Sequence, residues 1–262
     1  MKRTYVTAIS TDDYLPGVLA LEKNIRETCS FPLLVILPGD LKDETYAELH
    51  RRNISFMKVD DIETPGELLQ ATKEHAWFAH WANSLIKLRI FDLVEYGKIV
   101  FVDCDMMLMD CVDEVFELPD MSAVIGGKSY PGNEHFVDLN SGFMVVTPAE
   151  GKSKSIAAII PEVAAEKKIF GDQDVFQAYF ADWKHKTELH MPGGYNVWFT
   201  HYQYYLENEF VKIVHFVGKK KPWMMNSYDI SREYIKCVFK KNIKGISVLR
   251  KYRKLLKEVN YK

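Results

Sequence analysis

Two carboxylates one residue apart, Asp103 and Asp105, close an apolar run of Ile99, Val100, Phe101 and Val102. A short apolar run bounded by polar residues suits a strand buried on both faces. In open α/β sheets ligands gather at the carboxyl ends of the strands, where these aspartates fall. Residues i and i+2 can converge on one cation, and carboxylate oxygens suit magnesium or manganese, which in turn can bridge a diphosphate. Spacing alone is a weak signal, because most Asp-x-Asp pairs are solvated turns. The stretch from Val211 to Trp223 strengthens it: an apolar strand delivers His215, Gly218 allows close backbone approach, and Lys219 to Lys221 supply positive charge. Imidazole with two carboxylates favours manganese over magnesium, and a lysine beside the metal would neutralise a departing diphosphate. Taken singly, the charge run reads as a solvated loop and the histidine as a satisfied core residue.

The elements that must position these residues alternate from the start of the chain. Arg3 to Ile9 reads as a strand, Leu15 to Thr28 as a helix with Pro16 in its first turn, Pro32 to Leu37 as a strand, Asp43 to Arg52 as a helix and Ile54 to Val59 as a strand. That alternation predicts an α/β fold with a parallel sheet and right-handed crossovers. Ser10 to Tyr14 then share the edge that carries the aspartates, either as ligand contacts or with Ser10, Thr11 or Asp12 as a helix N-cap. A polar connection, Asp60 to Ala76, leads to interleaved histidines and aromatics (His75, Trp77, Phe78, His80, Trp81), which read as core or as a sugar-stacking platform. Ala82 to Glu95 reads as a helix with Leu85, Leu88, Phe91 and Leu93 on its core face and Lys87 and Arg89 pointing elsewhere. Further on, Asp120 to Gly127 is a strand candidate, and Lys128 to Val137 is a Pro/Gly/Asn loop expected to be mobile. Phe143 to Val146 is a strand, Ser153 to Lys167 a helix, and Val175 to Phe180 a helix with Asp172 as a candidate N-cap.

The chain of 262 residues can bury the core of one α/β domain plus an appendage, and at 47% hydrophobic and 27% charged it has ordinary globular composition. A net charge of −2 excludes a polyanion partner for the whole molecule, so no nucleic acid is expected. The distribution is uneven: residues 224–262 hold eleven basic and three acidic side chains, leaving −10 for the remainder. This divides the chain into a catalytic body, 1–223, and a basic helical extension, 224–262. In the extension Val248, Leu249, Tyr252, Leu255, Leu256 and Val259 share one helical arc and the basic residues the other. Such a helix either docks on the body or lies on an anionic membrane. The four cysteines show no metal-like spacing and read as reduced thiols, and no apolar run is long enough to span a bilayer, which together indicate a cytoplasmic protein. The absence of Gly-x-Gly-x-x-Gly and of a P-loop argues against dehydrogenase and kinase chemistry.

Asp103-Cys104-Asp105 followed by His215-x-x-Gly218-x-x-Lys221-Pro222-Trp223 resembles the glycogenin-like family 8 of retaining glycosyltransferases. The resemblance extends through Tyr5-Val6-Thr7 to Tyr14, Lys87-Leu88, Asn140-Ser141-Gly142 and Gly171-Asp172-Gln173, and Ile86 to Asp105 is also similar to galactinol synthases. It implies a GT-A fold, a Rossmann-like sheet with nucleotide at its carboxyl edge. It also implies a UDP-sugar donor, UDP-glucose or UDP-galactose, and manganese with magnesium as the alternative. By the same resemblance Asp103, Asp105 and His215 match the metal ligands, and Ser10, Thr11 and Tyr14 the nucleotide segment. Lys87, Gly218 and Lys221 match the diphosphate positions, and Asn140, Asp172 and Gln173 the donor-sugar and catalytic edge. The expected acceptor is a hydroxyl on a sugar, inositol or glycolipid, and a homodimer stays open. No equivalent of the self-glucosylated tyrosine segment of glycogenin is visible. A nucleotide-sugar binding protein without transfer activity, and a metal-dependent nucleotidyltransferase or phosphatase, are the rival readings; the lysine-proline-tryptophan motif gives the latter no support.

Overall fold

The computed structural model describes residues 2–63, 65, 66, 68, 70 and 82–259. The strands are β1 (Arg3–Ala8), β2 (Leu33–Leu37), β3 (Ser55–Lys58), β4 (Lys98–Val102), β5 (Met106–Leu108), β6 (Ala123–Val124), β7 (Phe143–Val146), β8 (His190–Met191), β9 (Val197–Trp198) and β10 (Ile213–His215). The α-helices are α1 (Leu15–Thr28), α2 (Asp43–Arg51), α3 (Lys152–Ala157), α4 (Ile160–Glu166), α5 (Asp172–Tyr179), α6 (Tyr202–Asn208), α7 (Ser227–Phe239) and α8 (Ile243–Glu258). A seven-stranded sheet runs β3-β2-β1-β4-β7-β6-β8, and a three-stranded sheet runs β5-β10-β9. Strand β4 alternates between two buried layers. Val100 and Val102 face α1, while Ile99 and Phe101 face Leu85, Leu88, Phe91 and Phe176. Burial on both faces explains why the run before Asp103 is continuously apolar.

The sheet is mixed rather than wholly parallel. Strands β1 to β4 are parallel, but β7 runs antiparallel to both β4 and β6. The chain therefore enters β7 from the edge where β4 ends, and the Asp103 amide donates to the Gly142 carbonyl at 2.9 Å. The expected strand at Asp120 to Gly127 shrinks to Ala123–Val124, because Met121 takes a left-handed φ of 61° that interrupts extended pairing. The helix expected from Ser153 to Lys167 is two helices, since Pro161 has no amide for the preceding turn and its ring crowds the carbonyl four residues back.

Ala82–Asp92 is a 3₁₀ run rather than an α-helix. Its apolar residues recur at intervals of three, so Leu85, Leu88 and Phe91 eclipse on one face of a helix with three residues per turn. The same geometry stacks Ser84 over Lys87 on another face, and that face points at the sheet edge that carries Asp103. The aromatic and histidine stretch from His75 to Trp81 lies outside the described residues. The loop from Lys128 to Val137 is a series of turns pinned where Tyr130 stacks on His201, with ring centroids 3.7 Å apart.

The apolar arc of α8 is docked on the body. Val248, Leu249, Tyr252 and Val259 are buried, and the Tyr252 ring lies 4.6 Å from Phe216 and 6.4 Å from Trp223. Trp223 in turn donates its indole N–H to the Asp13 carbonyl at 2.9 Å and meets Tyr14 edge-on. The helix thus braces the segment that carries Lys221. Among the described residues no helix is long and apolar enough to cross a membrane.

Replacing Tyr252 by alanine is expected to cost about 3–5 kcal/mol, as for other buried aromatics truncated in a core. Its hydroxyl has no hydrogen-bond partner among the described residues, so Tyr252→Phe should stay within about 1 kcal/mol of wild type. Urea midpoints at constant slope measure both, and an equal loss for the two variants would contradict the packing role.

Candidate active site at the junction of two sheets

The Asp103-Cys104-Asp105 loop is the link between the two sheets. Asp103 ends the approach from β4, and Asp105 precedes β5, which pairs antiparallel with β10 so that Met106 lies opposite His215. The Phe216 amide donates to the Asp105 carbonyl at 2.9 Å, locking the loop to the end of β10. His215 Nε2 is then 3.2 Å from Asp105 Oδ1 and 3.9 Å from Asp103 Oδ2, and the potential ligand atoms of the three residues all lie within 4.8 Å of one another. Gly142 closes the other side: a Cβ there would sit 2.9 Å from both Asp103 Oδ2 and His215 Cε1. Cys104 is buried behind the loop, and burial pushes its thiol well above the usual range.

Two buried lysines hold the three carboxylates here. Lys221 Nζ meets Asp105 Oδ2 at 2.5 Å, and Lys87 Nζ bridges Asp103 Oδ1 at 3.0 Å and Asp172 Oδ2 at 2.7 Å. Burial opposes ionisation of Asp105, yet Lys221 and His215 outweigh it and hold the carboxyl well below the usual range. Burial likewise opposes ionisation of Asp172, and Lys87 reverses it. For Asp103 burial wins, with the Asp105 charge adding to it, and the carboxyl is raised despite Lys87. A cation would reverse that balance, which is the electrostatic mark of an incomplete charge cluster.

A chain of three amides runs behind these groups, and two backbone N–H groups fix its direction. The Gly142 amide donates to Asn140 Oδ1 at 3.0 Å, so the Asn196 atom that meets the same oxygen at 2.7 Å must be the nitrogen. The oxygen of Asn196 therefore faces His215 Nδ1 at 3.0 Å. His215 must donate from Nδ1, which leaves the lone pair on Nε2 directed at the aspartates. In the other direction Asn140 Nδ2 donates to Gln173 Oε1 at 3.0 Å, and the Ser141 amide reaches the same oxygen at 3.3 Å. Gln173 thus turns its oxygen into the protein and has its amide nitrogen to offer.

Asp103, Asp105, His215, Lys87, Lys221, Gly218, Ser10, Thr11, Tyr14, Asp172 and Gln173 line one cleft of about 410 Å³. Asn140 does not line it and stands behind Gln173. Lys87, read from sequence as pointing away from the core, is buried inside the charge cluster. Asp172 opens α5, but Gly171 occupies the cap position, and Asp174 accepts from the Gly171 amide at 2.9 Å. Asp172 is thereby free to turn to Lys87, while its amide donates to Ser84 Oγ at 3.0 Å. Ser10 donates to the Asn83 carbonyl, and Asp12 accepts from the Lys42 amide at 3.1 Å and Thr45 Oγ1 at 2.6 Å at the start of α2 rather than at its own helix. Burial pushes the Tyr14 phenol up to about 12, so it faces the cleft protonated. At Gly218 φ is +127° with open space where a Cβ would stand, so the glycine is required by the backbone. Sequence reasoning missed Asn196 and Ser84, which carry no local signal. A second grouping, Cys29, Cys111 and Asp113, also lies within 4.8 Å, but both carboxylate oxygens are taken, by the Tyr5 hydroxyl at 2.7 Å and the Ser30 amide at 2.8 Å.

A mostly parallel half-sheet joined to a smaller sheet, with an Asp-Asp-His cluster at the junction, is the arrangement of a GT-A fold. The family model for glycosyl transferase family 8 matches residues 6–227, and the chain belongs to that family. It is 25% identical to galactinol synthase 2 of Arabidopsis thaliana over 92% of this chain and 79% of that one. With glycogenin-1 of Mus musculus it shares 25% identity over 84% of this chain and 65% of that one. It spans only 36% of an Arabidopsis thaliana relative named as a UDP-glucuronate:xylan alpha-glucuronosyltransferase, at 29% identity. The solved structure of the galactosyltransferase LgtC, in complex with donor and acceptor sugar analogues, superposes over 99% of this chain and 97% of that one with a TM-score of 0.63 at 13% identity, a likeness of fold.

Asn196→Ala should weaken binding of a divalent cation about 10- to 100-fold, the usual effect of losing the partner of a metal-ligating histidine. Asn196→Asp keeps the acceptor for His215 but loses the donor to Asn140, so it should recover only part of the affinity. Manganese titration followed by electron paramagnetic resonance measures both; unchanged affinity in the alanine variant would refute the orienting role.

Proposed function

We propose that this chain transfers a hexose, glucose or galactose, from a UDP-sugar to a hydroxyl acceptor with retention of configuration, using manganese held by Asp103, Asp105 and His215. The observation that carries this reading is the placement of those three side chains in one cleft with Asp172 and Gln173. The donor set fits a divalent cation. Two carboxylates and an imidazole with its lone pair turned inward converge, and Gly142 clears the space beside them. When bound, the cation supplies Lewis-acid stabilisation of the departing diphosphate. In this reading residues 1–223 carry the chemistry and 224–262 form the helical extension.

The chain's own residues do the rest. Ser10, Thr11 and Tyr14 bind the nucleotide, and the open backbone at Gly218 approaches the diphosphate. Lys221, held in place by Asp105, adds positive charge where negative charge develops. Asp172, kept ionised by Lys87, stabilises the oxocarbenium-like sugar carbon. Gln173 is too weak a nucleophile for a covalent intermediate, and its oxygen is already engaged by two donors. The acceptor hydroxyl therefore attacks from the face the diphosphate leaves, and the departing phosphate takes its proton. A screen of UDP-sugars for manganese-dependent hydrolysis, followed by an acceptor panel that includes myo-inositol, tests this reading. No hydrolysis of any UDP-sugar would refute it.

Asp105→Asn should lower turnover by on the order of a thousandfold, as when one stabiliser of transition-state charge is lost. It should also destabilise by about 3–5 kcal/mol, because Lys221 is left buried without its partner. Adding Lys221→Met should recover the stability and not the turnover. A stable double variant with wild-type turnover would remove Asp105 from the mechanism.

The product should keep the α configuration of the donor. The anomeric coupling in its proton spectrum decides this, and a β-linked product would exclude front-face attack.

A further inference from the structure

With the apolar arc of α8 committed to the body, a different apolar face of the extension stands in solvent. Tyr228, Ile235, Val238, Phe239 and Ile243 are exposed, Phe239 at 84% and Tyr228 at 73%. At 100° per residue Tyr228, Ile235 and Phe239 fall within an arc of about 40° on α7. Ile230 and Cys237, on the opposite side of the same helix, are the residues that bury it. The face is therefore surplus to the packing of α7.

Cations flank it on the side of the α7–α8 turn and the cavity below. Arg232, Lys236, Lys240, Lys241 and Lys244 are all exposed on α7 and the turn into α8. The acids nearby are Asp229, paired with Lys220, Glu233, paired with Lys236 at 2.5 Å, and Glu207, 3.8 Å from Lys244. Lysines threaded among exposed aromatic and branched side chains are unlike the core of a protein–protein interface, where lysine is depleted. They match an interfacial helix on acidic lipid, with apolar groups entering the acyl boundary and ammonium groups at the headgroups.

We propose that this face of α7 and the α7–α8 turn docks the protein on an anionic bilayer. Beneath α7 a cavity of about 520 Å³ is lined by Lys219, Lys220, Arg232, Lys236 and Lys240 over a floor of Phe199, Phe216 and Leu249. Val217, Gly218 and Lys219 line both this cavity and the catalytic cleft. Docking through α7 brings the cleft beside the membrane surface, where an acceptor borne on lipid presents its hydroxyl. The docking stands apart from the choice of donor sugar.

Full-length protein is sedimented with phosphatidylglycerol vesicles and with phosphatidylcholine vesicles, without donor, so the outcome is independent of transfer activity. Binding to the anionic vesicles is expected at low salt, with release at about 1 M salt, where the Debye length falls to about 3 Å. Phe239→Glu/Ile243→Glu and Lys240→Glu/Lys241→Glu should each weaken partitioning about tenfold or more, with circular dichroism and melting temperature unchanged. Three results would overturn the proposal. They are no sedimentation of the wild type, equal sedimentation of the variants, and a vesicle-free dimer that the Phe239→Glu/Ile243→Glu pair dissociates, which would make a second copy the occupant.

Discussion

The contact on which the cleft depends is the buried ammonium of Lys87 between Asp103 and Asp172. An uncompensated buried charge is strongly destabilising, so each of the three residues requires the other two in place. Asp103 comes from the end of β4, Asp172 from the first turn of α5, and Lys87 from the 3₁₀ run between β3 and β4. Satisfying one lysine therefore fixes the relative placement of three distant elements. It also sets one wall of the cleft against the other, Asp103 with Asp105 and His215 against Asp172 with Gln173.

The neighbouring pair of Lys221 and Asp105 extends the same logic to the second sheet. Three carboxylates face two ammonium groups along one wall of the cleft, with Asp103 its most exposed member, so the cluster has room for one more positive charge. The raised carboxyl of Asp103 marks where that deficit falls. The bracing of Trp223 by Tyr252 and Asp13 then explains why a C-terminal helix matters to a site it does not touch.

The amide chain from His215 through Asn196 and Asn140 to Gln173 does for orientation what Lys87 does for charge. Its polarity is set by two backbone N–H groups at the start of β7, and these stand beside Asp103 only because β7 is antiparallel to β4. A parallel β7 would bring its opposite end to this edge and leave the histidine tautomer and the glutamine rotamer without an anchor. One choice of strand direction thereby reaches both the Asp-Asp-His cluster and the Gln173 amide.

The sequence by itself determined the first three strands and two helices, the apolar run that ends in Asp103, and the residue types of the site, because local periodicity and strand ends are written in neighbouring residues. Motif order was enough for the family, which the match over residues 6–227 bears out. Strand direction, the 3₁₀ geometry that turns Lys87 inward, the role of Asn196, and the choice of α8 arc or α7 face for burial were decided by the tertiary structure alone. Each depends on a partner far along the chain: Asn196 on Asn140, 56 residues before it, and Lys87 on Ser141, 54 residues after it. A buried polar group takes its meaning from the atom it faces, and that atom is supplied by the register of the sheet rather than by the residues next in sequence.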